Sequence, residues 1–197
     1  MSNNHSGKEK RGIRGKLRSL ARDCRGISAI EFAFVFPIMA ALFLGGTAIT
    51  QGIVIKRKVT LATRTVGDLA SQDKCITDNE MTAIFTAATA VFQPYSTNSM
   101  TLIVTSLKID EDGNATVDWS DKTVNGGARE AGRTVGDTVA LPAGINEPST
   151  YVVMAEGSYT YAPTVGSSFV GTLPLSEKFY LRPRRVPNIT RVATTCP

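Results

Sequence analysis

From Phe32 to Ile55 the chain runs 24 residues without a charged side chain. About 20 apolar residues at 1.5 Å rise each cross the hydrocarbon core of a bilayer. The run is therefore long enough to span with some tilt. It is longer than the roughly 7–15-residue apolar region of a cleaved secretory signal, and no A-x-A site with a polar boundary follows it. A buried helix of a soluble protein is disfavoured too, because the run is apolar around its whole circumference. A membrane-spanning helix is the reading that remains.

The charges around the run set its orientation. Residues 1–26 hold eight Lys/Arg against Glu9 and Asp23, a net +6, whereas the whole 197-residue chain carries +5. The rest of the chain is therefore slightly acidic, and nothing in it argues for nucleic acid. The basic leader reads as cytoplasmic. Lys56, Arg57 and Lys58 on the far side oppose this, three charges against eight. The C-terminal body should then face the periplasm or the cell exterior. Pro37 inside the run should kink the helix, as membrane helices tolerate. Ala41, Gly45 and Ala48 make a small-residue face, which permits close helix–helix approach or is simply usual for such helices.

Glu31 stands just before the run. One reading is a carboxylate that snorkels to the interface. Another needs a cation. If the chain is cut after Gly26, Ile27 acquires a free α-amino group about one helical turn from Glu31, in the same or a neighbouring subunit. Pairing offsets the desolvation of both charges.

The order basic leader, Gly26, four residues, Glu31, an aromatic, then a long apolar helix resembles the type IV prepilin processing motif. The stretch RDCRGISAIEFAFVFPIMAALFLGGTAITQGIVIKRKVTLATRTVGDLASQ, residues 22–72, is similar to the TadE/TadG-like family, minor pilin-like proteins of the tight-adherence (Tad) pilus system. The resemblance covers about the first third of the chain. It implies a prepilin peptidase as processing partner, Gly26 as the last leader residue and Ile27 as the new N-terminus. It gives Glu31 a role in positioning the subunit during assembly. Phe32 stands where processed members often carry Tyr. The implied surroundings are the bacterial inner membrane and other Tad pilus subunits.

Beyond the run, Val59, Ala62, Val66, Leu69 and Ala70 keep the helical period to about Gln72. A second helix is predicted over 78–92, capped by Asp78 or Thr77, with Glu80 in its first turn and Met81, Ile84, Phe85, Ala88 and Phe92 as a core stripe. MTLIVTSLKID reads as a strand, DEDGN as a turn and ATVDWS as the hairpin partner. Residues 124–144 are Gly-rich and read as irregular. Further strands are predicted from Thr150 to Tyr161 and from Lys178 to Arg184. The expected organisation is a leader over 1–26, a transmembrane helix over 27–55, a helical stalk over 56–74 and an extracytoplasmic domain over 75–197. The fold class is α+β, a helix against an antiparallel sheet at the end of a long N-terminal helix, a shape suited to a pilin-like subunit.

The three cysteines are Cys24, Cys75 and Cys196. Their spacing matches no zinc or redox motif. If the membrane separates Cys24 from the others, Cys75 and Cys196 form an even pair in a compartment that permits disulfides. Two independent thiols are the alternative.

Catalytic constellations are not visible. The single histidine is His5, in the leader, and neither G-x-S-x-G nor a P-loop occurs. Asp110, Asp112, Asn114, Asp118 and Asp121 resemble a calcium loop in spacing. An EF-hand counted from Asp110 would need Gly at 115 and Glu at 121, where the chain has Ala115 and Asp121. A plain hairpin turn is the better reading. Arg182, Arg184, Arg185 and Arg191 read as a solvated strand end, with a partner contact as the alternative. No cofactor, metal or small-molecule substrate is expected. The leading function is a non-enzymatic subunit in Tad pilus assembly. The rival is an uncleaved, signal-anchored envelope module that binds a protein or a glycan.

Overall fold

The computed structural model describes residues 27–163 and 171–196. The basic leader, including Gly26, lies outside the described residues. The chain divides into two compact units, the first ending at Thr47 and the second running Ala48–Pro197.

Helix α1, Ile27–Gln72, belongs to both. In the first unit its apolar side chains are exposed, from Ile30 and Phe34 to Phe43. By length and composition it is able to cross a membrane. In the second unit the same helix becomes amphipathic. Ile55, Val59, Ala62, Val66 and Ala70 are buried at spacings of three and four. The segment expected as a stalk over 56–74 therefore contributes to the core of the second unit.

A six-stranded antiparallel sheet follows. Its strands are β2 (Met100–Ile109), β3 (Ala115–Val124), β4 (Arg129–Ala131), β5 (Thr138–Val139), β6 (Tyr151–Tyr161) and β7 (Leu173–Leu181). The order is β4-β3-β2-β6-β7, with β5 also on β3. Two of these strands lie in the Gly-rich stretch expected to be irregular. β7 begins at Leu173 and stops before Arg182-Pro183, so it is earlier at both ends than the expected span. Among the described residues there is also a parallel pair, β1 (Cys75–Ile76) with β8 (Thr190–Arg191), which the sequence reading did not include.

Helix α2, Asp78–Ala90, starts with a capping box. Thr77 Oγ1 accepts from the Glu80 amide, and the Glu80 carboxylate accepts from the Thr77 amide. The cap is thus Thr77. Its buried stripe is Met81, Ile84, Phe85 and Ala88, and Phe92 beyond the helix is also buried.

One face of the sheet packs on α1 and α2 through Leu102, Val104, Trp119, Val153 and Ala155. The other face holds a smaller cluster of Leu107, Ile109, Ala115, Val117, Val152 and Met154, covered by Val139, Leu141 and Ile145. A bulge explains how β3 serves both. The register shifts at Ser106/Leu107, where Trp119 pairs with Ser106 but Val117 pairs with Leu107. One extra residue reverses the faces.

Glycines set the distance between α1 and β6. A Cβ on Gly67 would lie 2.7 Å from Leu181 Cδ1 and 2.9 Å from Ala155 Cβ. A Cβ on Gly157 would run into the Thr63 side chain. The helix therefore lies closer to the strand than side chains at these positions would permit.

Candidate functional site

Of the residues expected at a processing site, Gly26 is not described. Ile27, Glu31 and Phe32 are all exposed on α1. Ile27 and Glu31 are one turn apart on the same face. Phe32 stacks on Phe36 with ring centres 5.5 Å apart. Among the described residues no cation pairs with Glu31, so its carboxylate is open to a partner. What the described residues offer here is an exposed carboxylate beside an apolar helix.

The second group of residues secures the C-terminal domain. Cys75 and Cys196 are joined as a disulfide, with Cα atoms 5.8 Å apart. Cys75 belongs to β1 and Cys196 follows β8, so the bond closes the same seam as the parallel pair. The seam continues through Thr190 N–H to Lys74 O, Val192 N–H to Ile76 O and Asp78 N–H to Ala193 O. Trp119 Nε1 donates to Ile189 O at 2.8 Å and holds the strap from the sheet side.

At the centre of the seam four charges form a ring. Arg191 Nε donates to Asp121 Oδ2 at 2.7 Å, and its Nη2 to Asp78 Oδ1 at 2.5 Å. Arg129 bridges the same two carboxylates from the other side. The Arg191 and Asp121 side chains are only 11% and 4% exposed. Burial disfavours the Arg191 charge, but its hydrogen bonds to the two carboxylates outweigh it, and its pKa is raised. The Arg191 hydrogen bond holds the Asp78 carboxyl below its usual range. The expected solvated strand end thus fails for Arg191. Arg182 and Arg184 do stay at the surface, each with one carboxylate, Glu147 and Asp68 respectively. No local signal marks Arg191, because Asp78 and Asp121 are distant in the chain.

The acidic segment is a turn. Asp110 Oδ1 accepts from the amides of Asp112 and Asn114, which closes the β2–β3 hairpin and lowers the Asp110 pKa. Among the described residues no group of His, Cys, Asp and Glu is placed to hold a metal ion.

The three cations after the apolar run are not alike. Lys56 pairs with Glu177 at 2.6 Å and also donates to Ser176 O. Lys58 donates to Val91 O and Gln93 O, the carbonyls just past α2. Arg57 is exposed and has no ion pair among the described residues.

On the sheet face away from the helices is a shallow groove. Ile103, Glu156 and Lys178 form one row across β2, β6 and β7; Thr101, Ser158 and Ser176 form the next. Burial pushes the Glu156 carboxyl up, but hydrogen bonds from Lys178 and Arg133 prevail and hold it low.

No described protein family, curated protein or solved structure matches the chain.

Proposed function

We propose that the chain is a membrane-anchored, pilin-like subunit of a Tad-type pilus assembly machine, processed by a prepilin peptidase after Gly26. The observation that carries this reading is the order Gly26, Ile27, Glu31, Phe32 ahead of an uncharged run that continues as one helix into an α+β domain. A basic leader remains inside and the disulfide-closed domain lies outside. Cleavage frees the Ile27 amine, Glu31 pairs with it, and the subunit leaves the bilayer to enter or prime a filament. No catalysis by the chain is involved.

Mass spectrometry of the N-terminus from membranes is the test. An N-terminal Ile27 that disappears when the prepilin peptidase is deleted is the expected result. An intact leader in both strains overturns processing. With processing established, Glu31→Ala should impair assembly while membrane insertion persists.

The groove around Glu156 favours a second reading, an uncleaved signal-anchored module that binds a protein or glycan. Three hydroxyls, Thr101, Ser158 and Ser176, flank the ion-paired carboxylate and offer polar contacts. An intact leader together with loss of ligand capture in Ser158→Leu supports this reading over the first.

A further inference from the structure

Four of the six large apolar side chains exposed on the described part of the second unit gather at one end, the others being Leu61 and Val135. Ile49 is 67% exposed, Ile53 52% and Leu173 44%, with Val54 beside them. Tyr161 joins these elements. Its hydroxyl lies 3.4 Å from both Ala48 O and Gln51 Oε1, its ring rests against Gly52, and in the sheet it pairs with Leu173. At the opposite end of the sheet, where Ile109 pairs with Ala115, Leu107, Ile109, Ala115 and Val117 are buried, and Val135 alone beside them is exposed.

We propose that this rim seats the outer domain directly on the phospholipid headgroup layer of the outer leaflet, with Arg57 facing lipid phosphate. The inference rests on α1 being membrane-spanning. Three observations name lipid as the occupant. First, the rim continues the uncharged run. Counted from Phe32, about 20 residues reach Gln51, where the hydrocarbon core ends. Second, the outward stripe of α1 reads Ile49, Ile53, Arg57 at steps of four, with the exposed Leu61 one turn beyond. Apolar groups followed by a cation reproduce the order of acyl chain and phosphate in a leaflet. Third, Lys56 and Lys58 are held by Glu177 and by the α2 carbonyls, which leaves Arg57 as the cation of the triplet free to meet an anion. A second copy docked along this stripe would have to bring a carboxylate to Arg57. The leaflet supplies phosphate without a further partner.

The test uses the full chain with Cys24→Ser and the native disulfide intact, reconstituted in phosphatidylcholine–phosphatidylglycerol vesicles. Single cysteines replace Met39, Leu173 or Val135 and carry a fluorophore. Val135 precedes Gly136, whose amide bonds Val117 O, away from the rim. Lipids spin-labelled at the headgroup or along the acyl chain serve as quenchers. The label at Leu173 should lose most of its emission to headgroup quenchers and that at Met39 to acyl-chain quenchers, while Val135 keeps its emission. Adding Arg57→Glu should restore emission at Leu173 and leave Met39 quenched. Quenching at Met39 without quenching at Leu173 overturns the seated rim and leaves the anchor standing. An unquenched Leu173 that cross-links to a second copy overturns it in favour of self-association. An unquenched Met39 overturns the anchor itself.

Discussion

Residues 27–47 and 48–72 lie on one continuous helix but obey opposite rules. In the first stretch large apolar side chains point in every direction and none is buried by protein. In the second, small residues line one face and let β6 approach, while Lys56, Arg64 and Asp68 line the other faces and meet Glu177, Phe179 and Arg184. Helical periodicity is common to both. What differs is what surrounds the helix: no protein on any side in the first stretch, and a protein core on one side in the second.

The sharpest break between the stretches should come from the disulfide. Removing it with Cys75→Ser should lower the stability of the C-terminal domain by ~2–5 kcal/mol, read as a lower urea midpoint. Retention of the protein in the membrane fraction should be unchanged. Next is Arg191→Met, which leaves Asp121 with Arg129 alone. Breaking a buried ion pair costs ~3–5 kcal/mol, and the remaining arginine places this change at about the lower limit. The double variant with Asp121→Leu should regain part of the loss if the buried carboxylate is its source.

A matched pair of glycine substitutions compares the stretches directly. Gly67→Ala places a Cβ against Ala155 and should destabilise the domain by ~1–3 kcal/mol. Gly46→Ala meets nothing within 4 Å and should leave domain stability unchanged while slightly favouring the helix. Equal effects at the two sites would erase the contrast.

The smallest effect is acid lability. Asp78, Glu80 and Glu156 are held below the usual carboxylate range by hydrogen bonds from Arg191, Thr77 and Lys178 with Arg133. Their contribution is present above the unfolded pKa and is lost as pH falls through the folded one. Asp73 and Asp118, raised by burial, act in the opposite sense and blunt the change. The urea midpoint should fall as pH drops below about 5.

Much of the fold is written locally. The uncharged run, the Thr77–Glu80 box, the Asp110 turn and the alternation in β2 and β6 each need only neighbouring residues. The missed features all depend on distance. A two-residue strand such as β1 has no period to read and exists only because Thr190 and Arg191 return to it. β4 and β5 lie among glycines and take their register from β3. Arg191 looks like one more surface cation until the fold brings Asp78, 113 residues away, and Asp121, 70 residues away, to the same guanidinium. For the proposed processing site the sequence supplies the pattern Gly26, Ile27, Glu31, Phe32. A charge partner for Glu31 would come from the Ile27 amine, and that amine exists only after cleavage.

The bond between Cys75 and Cys196 has a topological consequence. It makes nearly all of the chain beyond α1 a covalent ring, tied to the helix at a single point. A protease that cuts once inside the ring opens it without releasing a fragment. Both pieces stay attached to α1, and releasing the ring from the helix requires a cut before Cys75.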